Sequence, residues 1–214
     1  MNIKHLLPLL FLSLSLNSWA VNKDKEARKV LDSMSQRLTK AGGLCIDFTA
    51  TSLRGKTHQG STNGTMNILG RKFQMTTPEM LIWFDGKTQW SLQPGDTEIS
   101  LTEPTETELQ ALNPYAFLDL YKKGFNYKMK RGTLSNGKEG YRIFLTADNS
   151  KQEIREIYLE VDLTYTPIRV SLRQGKNHWM RIVVNKLQTN RSFKDSDFCF
   201  PAKDYPQAQV IDLR

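Results

Sequence analysis

Of the three histidines, His5 falls in the apolar N-terminal stretch, which leaves His58 in a polar turn and His178 at the opening of a strand-like run. Imidazole moves protons and holds metals near neutral pH, but a metal needs several ligands at suitable spacing, and no His, Cys or carboxylate cluster accompanies either ring. A Ser-His-Asp arrangement assembles across a fold rather than along a chain, yet no nucleophile-elbow motif occurs. Gly60-Ser61-Thr62-Asn63-Gly64 is rich in glycine but lacks the lysine and the following helix of a phosphate loop. The acids Glu106 and Glu108 fit helix capping better than catalysis, because Thr105-Glu106-Thr107-Glu108 has a threonine followed three residues later by glutamate. These residues point to a protein that is not an enzyme and uses no metal or cofactor.

The remaining reactive groups are the two cysteines, Cys45 and Cys199, each set between apolar neighbours in Leu44-Cys45-Ile46 and Phe198-Cys199-Phe200. In an oxidising compartment they permit one intrachain disulfide, which would tie the first strand to the last and stabilise by about 2–4 kcal/mol. The alternative is a pair of buried free thiols.

The apolar inventory offers a different kind of site. Phe73, Trp83, Phe84, Trp90, Tyr115, Phe117 and Tyr121 fall in or beside one central region. Large apolar groups with few convergent polar atoms suit a hydrocarbon ligand, and each buried methylene is worth about 0.8 kcal/mol. A tightly packed core would use the same residues, so composition leaves core and cavity side by side.

The elements that would position these groups are mostly strands. Gly70 to Leu101 reads as four short strands: Phe73 and Met75 alternate with polar residues, Met80 to Phe84 is apolar throughout, Asp85-Gly86-Lys87 is a hairpin turn, Gln89 to Leu92 resumes, Pro94-Gly95-Asp96 turns, and Ile99 and Leu101 alternate with Glu98 and Ser100. Before them, Leu44 to Leu53 and Gly60 to Leu69 are strands, with Gly64 marking a bulge or a close approach. After them, alternation returns from Phe125 through Leu187, and Phe198-Cys199-Phe200-Pro201 reads as a last edge strand, giving ten or eleven strands, antiparallel by inference. Asp24 to Lys40 is helical, with Ala27, Val30, Leu31, Met34 and Leu38 in one stripe, Asp24 as N-cap and Gly42-Gly43 as terminator. It either covers one end of a sheet or acts as a lid. A second helical segment starts at Asn113-Pro114, and its Tyr115, Phe117, Leu118, Leu120 and Tyr121 exceed one stripe. The expected fold is mainly β with short helices, a strongly curved sheet or open barrel.

The first twenty residues read as a cleaved signal peptide: Lys4, an apolar run from Leu6 to Leu16, and Ser18-Trp19-Ala20 as the cleavage site. Residues 21–214 then form a single exported domain. No cysteine follows the cleavage point to carry a lipid anchor. The net charge of +8 is compatible with an anionic membrane surface, acidic partners or simply a soluble cationic surface. Export and the dispersal of the cations argue against nucleic acid; Lys122-Lys123 with Lys128-Lys130-Arg131 is the one dense cluster.

Gly64-Thr65-Met66-Asn67, the Arg71 to Phe73 segment, the Trp83 strand, Asp85-Gly86-Lys87-Thr88 followed by Trp90, and Glu98-Ile99-Ser100 together resemble the periplasmic outer-membrane lipoprotein carrier family, LolA. The Bacteroides-type branch has a similar ending, Phe198-Cys199-Phe200, Tyr205-Pro206 and Val210 to Arg214, and the resemblance covers essentially all of residues 21–214. It implies a half-open antiparallel β-barrel covered by helices, whose cavity takes lipoprotein acyl chains from an inner-membrane ABC transporter and passes them to an outer-membrane acceptor, the carrier acting as a soluble periplasmic monomer. Cavity or lid contacts are then expected at Val30, Met34, Trp83, Trp90, Leu112, Phe117, Leu118 and Tyr121. Proteobacterial members place an arginine-proline pair before the phenylalanine strand, and that arginine holds the lid; Gly70-Arg71-Lys72-Phe73 lacks the proline, so Arg71 is the latch candidate with Lys72 as the alternative register. The cysteines are outside the family pattern. Two other readings remain open: a related half-barrel for free lipid or glycolipid, and a scaffold or regulatory domain that recognises envelope proteins through a surface groove.

Overall fold

The computed structural model describes residues 24–105, 108–109, 121–122 and 124–214. The stretch 1–20 expected to be a signal peptide, Leu112, Phe117, Leu118 and most of the Asn113-Pro114 segment lie outside the described residues.

The apolar stripe near the start becomes α1, Lys25–Lys40. Asp24 begins it by accepting from the backbone N–H groups of Glu26 and Ala27 at 2.9 and 3.2 Å, which satisfies donors that a first helical turn leaves open. Gly42, at φ +64°, turns the chain directly into the first strand. Ala27, Val30, Leu31, Met34 and Leu38 are buried.

The rest is one sheet. In chain order its strands are β1 Gly43–Arg54, β2 Thr57–Leu69, β3 Lys72–Thr76, β4 Leu81–Phe84, β5 Gln89–Leu92, β6 Glu98–Thr102, β7 Phe125–Thr133, β8 Glu139–Ala147, β9 Ile154–Asp162, β10 Pro167–Gln174, β11 His178–Arg191 and β12 Gln209–Asp212. They pair in the order β12-β6-β5-β4-β3-β2-β1-β11-β10-β9-β8-β7, so the sheet is open, with β12 and β7 at its edges. The four-stranded meander is present as β3 to β6, each strand antiparallel to the next. The capping box also forms: Thr105 N–H donates to Glu108 Oε2 at 2.7 Å, and Glu108 N–H donates to Thr105 Oγ1 at 3.3 Å.

The chain end differs from the sequence expectation. Phe198-Cys199-Phe200-Pro201 is not an edge strand; Phe198 ends one 3-10 turn, Asp195–Phe198, and Cys199 to Pro201 link it to another, Ala202–Asp204. The Asp197 carboxylate draws in the Lys194 N–H at 2.8 Å and curls the chain there. Pro201 has no N–H to give a ladder. The last strand comes later, as β12, and runs parallel to β6, opposing Gln209 to Glu98 and Asp212 to Leu101.

Nor does the expected disulfide form, since both cysteines are free. Cys45 stands in β1 opposite Asn67 and Gln188, whereas Cys199 follows a turn packed against β3. The Cys199 thiol points its weak donor at the Asp195 carbonyl, 3.7 Å away, and burial pushes its pKa up, which keeps it protonated and unreactive.

Gly64 is a close approach. It stands opposite Phe48 across the β1–β2 ladder, and a Cβ there would meet Phe48 Cζ at 2.5 Å and the Thr76 carbonyl oxygen at 2.8 Å. The ring lies where a side chain would stand. Gly64→Ala should therefore lower unfolding stability by about 1–3 kcal/mol, as overpacking of a filled core does; a urea melt measures it, and an unchanged midpoint would contradict the contact.

Candidate lipid-binding face

A strand presents alternate side chains to opposite faces, so α1 decides which face is the interior. The helix stripe joins one buried cluster with Leu44, Ile46 and Phe48 of β1, Met66 and Ile68 of β2, Phe73 of β3, and Ile82 and Phe84 of β4. The same cluster continues on the other side through Ile182, Val170, Leu172, Ile157, Leu159, Ile143, Leu145, Phe125 and Tyr127. Phe73 and Phe84 face each other with ring centroids 5.3 Å apart.

Val30 and Met34, expected at the cavity or lid, lie in this face, at 6 % and 0 % exposure. Tyr121 joins them and is buried. Trp83 and Trp90 do not. They belong to a second apolar cluster on the opposite side of β4 and β5, with Leu81, Leu92 and Ile99, covered by the chain end. Phe200 and Tyr205 pack edge-on to Trp83 at 5.5 and 6.0 Å. Both tryptophans therefore anchor the C-terminal tail rather than line the α1 face.

Methionine runs through this face well beyond the Met34 expected there. The chain has seven, and apart from Met1 all of them, Met34, Met66, Met75, Met80, Met129 and Met180, belong to the α1 face or pack against it. Met66 and Met75 are direct cross-strand partners. Unbranched and polarizable, methionine refits to ligands of irregular shape. The signal available was that Met66, Met75 and Met129 each fall on the apolar phase of their strands.

Polar contacts fix α1 at its start and near its middle. At its start, the Asp24 carboxylate also accepts from the Met129 N–H at 3.3 Å, and the Asp24 N–H donates to the Tyr127 carbonyl, so the helix is fastened to the edge strand β7. Farther along, Tyr121 donates its hydroxyl to Asp32 Oδ1 at 2.6 Å, while Arg28 Nε stands 3.6 Å from Asp32 Oδ2. Burial pushes the Tyr127 phenol up, so beneath the helix start it stays neutral. Arg71 is exposed at the β2–β3 turn, and Lys72 Nζ is engaged by Asp195 of the tail at 2.7 Å. Lys72 is thus drawn to the chain end.

Nothing in these contacts resembles a reaction centre. His58 is exposed and shares a 2.9 Å hydrogen bond with Ser61 Oγ, and among the described residues no carboxylate orients its ring. His178 is exposed at the start of β11. Among the described residues no group of three His, Cys, Asp or Glu side chains could hold a metal, and no helix is long and apolar enough to cross a membrane.

If Tyr121 and Asp24 restrain α1, loosening them should show in the helix itself. Tyr121→Phe and Asp24→Ala should each raise amide hydrogen exchange across Val30 to Leu38 by about tenfold, the equivalent of one lost hydrogen bond to a charged group. Unchanged exchange in both variants would show that the apolar stripe alone holds the helix.

No curated protein matches the sequence. Solved structures that match include a LolA superfamily protein from Nitrosomonas europaea, 10 % identical, covering 81 % of this chain and 97 % of that one at a TM-score of 0.44. The lipoprotein LppX from Mycobacterium tuberculosis is 11 % identical, covering 78 % and 98 % at 0.46. MucB, in complex with MucA, from Pseudomonas aeruginosa is 14 % identical, covering 87 % and 63 % at 0.43. The family model described as outer membrane lipoprotein carrier protein LolA matches residues 16–176, α1 and β1 through β10 in full, and with most of the chain inside that match the protein belongs to the LolA family.

Proposed function

We propose that this protein is a periplasmic carrier of lipoproteins, which shelters their acyl chains between α1 and the sheet face beneath it and ferries them from the inner to the outer membrane. On this reading the sheet is a half-open barrel. In support, the buried cluster runs from β4 round to β7, while a helix of 16 residues is only about 24 Å long. Nine strands laid flat would extend roughly 38 Å, so wrapping would let them share one cover. Soluble passage would follow cleavage of residues 1–20, loading would come from an inner-membrane ABC transporter, and release would be to an outer-membrane acceptor.

The observation that carries the proposal is the collection of methionines on the α1 face. A core built for permanence favours branched side chains with few rotamers; a face that must exchange one apolar partner for another gains from flexible ones.

The energies are of the right size for exchange. The four larger buried side chains of the stripe, Val30, Leu31, Met34 and Leu38, hold α1 down. At about 1.5–3 kcal/mol each they contribute roughly 6–12 kcal/mol, as an upper figure. One palmitoyl chain, with about fourteen methylenes at about 0.8 kcal/mol each, offers roughly 11 kcal/mol. A single chain would about balance the opening of the helix, and several on one lipoprotein would exceed it. Val30, Met34 and Tyr121, with Leu112, Phe117 and Leu118 of the second helical segment, are the proposed contacts. Asp32–Tyr121 is a proposed latch in addition to the candidate Arg71.

Native mass spectrometry of protein released from its own periplasm tests the reading directly. The expected species is a complex with an acylated lipoprotein, and Tyr121→Phe, which loses a contact that favours the closed, empty form, should hold that cargo about tenfold more tightly and release it more slowly. Recovery with free lipid alone would change the cargo. An empty protein that also fails to take up a fluorescent fatty acid would end the acyl-binding account.

A further inference from the structure

The face of β7 to β11 turned away from α1 carries charges and rings that acyl binding does not use. Cross-strand register sets two rows side by side. In one, Lys130 stands opposite Arg142, Arg142 opposite Glu160, and Glu160 opposite Arg169. In the next, Lys128 stands opposite Phe144, Phe144 opposite Tyr158, Tyr158 opposite Ser171, and Ser171 opposite Arg181. Their neighbours along each strand, such as Ile143, Leu159, Val170 and Ile182, are buried in the α1 cluster, so alternation puts both rows on the outside.

The carboxylates of this face are already occupied. Glu160 is 2 % exposed; Arg169 meets its Oε1 at 2.6 Å, and the N–H and hydroxyl of Ser135 donate to its Oε2 at 3.0 and 2.5 Å. Glu156 is held by Arg173 at 2.5 Å. Asp24, at the rim, is engaged by backbone N–H groups. Lys128, Lys130, Arg142 and Arg181 have no ion pair among the described residues, so their charge is directed outward uncompensated.

The surface is also not flat. Lys128, Lys130, Arg142, Phe144 and Tyr158 line a hollow of about 910 Å³. Next to it, sharing Tyr158, is one of about 230 Å³ where Arg169 and Arg181 flank Ser171 against the Trp179 ring. Arg169 Nε is buried there without a hydrogen-bond partner, one N–H donor left over. Phe144, at 38 % exposure, is a large apolar ring in the middle of a charged face.

Exposed cations around a ring with water on one side match the boundary layer of an anionic bilayer, where Lys and Arg meet phosphates and aromatic side chains settle at headgroup depth. Single-stranded nucleic acid fits less well. It needs open ring faces for stacking, and the Arg169 guanidinium already stands over the Tyr158 ring, 6.0 Å from its centroid. We propose that the outer face of β7 to β11 docks on an anionic phospholipid surface, with Lys128, Lys130, Arg142 and Arg181 over lipid phosphates and Phe144 among the headgroups. α1, fastened to the inner side of the same strands, would then be held at a fixed height above the bilayer.

Co-sedimentation of the full chain with vesicles decides the matter. Binding is expected to phosphatidylcholine vesicles doped with phosphatidylglycerol, not to pure phosphatidylcholine, and to fall steeply with salt. The double variant Lys130→Glu with Arg142→Glu should lower partitioning at least tenfold, while its circular dichroism melt stays near that of the unaltered chain. Phe144→Ser should weaken binding yet keep the salt dependence. Equal sedimentation of the unaltered and charge-reversed chains, or none with doped vesicles, would overturn the proposal, as would binding to an acidic peptide or oligonucleotide with none to vesicles. These vesicles hold no lipoprotein, so the result is independent of the carrier reading: a chain that sediments with vesicles but takes up no acyl chain would leave docking in place and remove the carrier function.

Discussion

β4 is the strand on which the two halves of the molecule depend. Most strands here bury one face and leave the other to water, but Leu81-Ile82-Trp83-Phe84 is apolar on both. Ile82 and Phe84 belong to the α1 cluster, and Leu81 and Trp83 to the tail cluster. A strand so composed needs covers on both sides. α1 belongs to the cover on one side. The other needs the chain to return across the outside of the meander, which Phe200, Tyr205 and Ala208 accomplish before β12 seals the edge beside β6. The parallel strand in an otherwise antiparallel sheet follows from this, because the tail crosses over the outer face before it pairs.

That double burial also explains where sequence reading succeeded and where it stopped. α1 was legible because its stripe has a single phase and Asp24 and Gly42 mark its ends. The meander was legible because its turns carry glycine and aspartate at hairpin spacing. The face assignment of Trp83 and Trp90 was not: in a continuously apolar strand the period of two has no polar member to indicate outside, so aromatic bulk looked like cavity lining. Cys45 and Cys199 misled for a related reason, since apolar neighbours report burial but not which elements meet. The bond from Tyr121 to Asp32 joins residues 89 apart in sequence, and no local pattern announces it.

The two kinds of contact that hold α1 have different physical characters. Its stripe makes non-directional contacts that a hydrocarbon chain of similar area could replace at little net cost. The Asp24 and Asp32 contacts are directional and no acyl chain can supply them. A ligand entering beneath the helix would thus compete with the apolar term while losing the polar one, so the polar contacts set how far the closed form is preferred when empty. On the carrier reading this is what release requires. If acyl chains only had to match the stripe, loaded and empty forms would differ by chain length alone. The carboxylate contacts add a fixed preference for closure that does not grow with the size of the cargo.

Charge is distributed with the same separation. The α1 face is apolar, with the Tyr127 phenol held protonated, while the uncompensated cations of β7 to β11 lie on the opposite side of the same strands. One sheet thickness, about 10 Å, therefore separates an apolar interior from a surface suited to phosphate. This is comparable to the Debye length at ordinary ionic strength, about 8–10 Å. An anionic surface drawn to the outer face would act weakly on Asp24 and Asp32 across the sheet, and salt that released the outer face would leave the helix contacts nearly unaffected. The two faces can accordingly respond to different conditions, the outer one to ionic strength and the inner one to the presence of hydrocarbon. Alternation along the strand is sufficient to produce that independence.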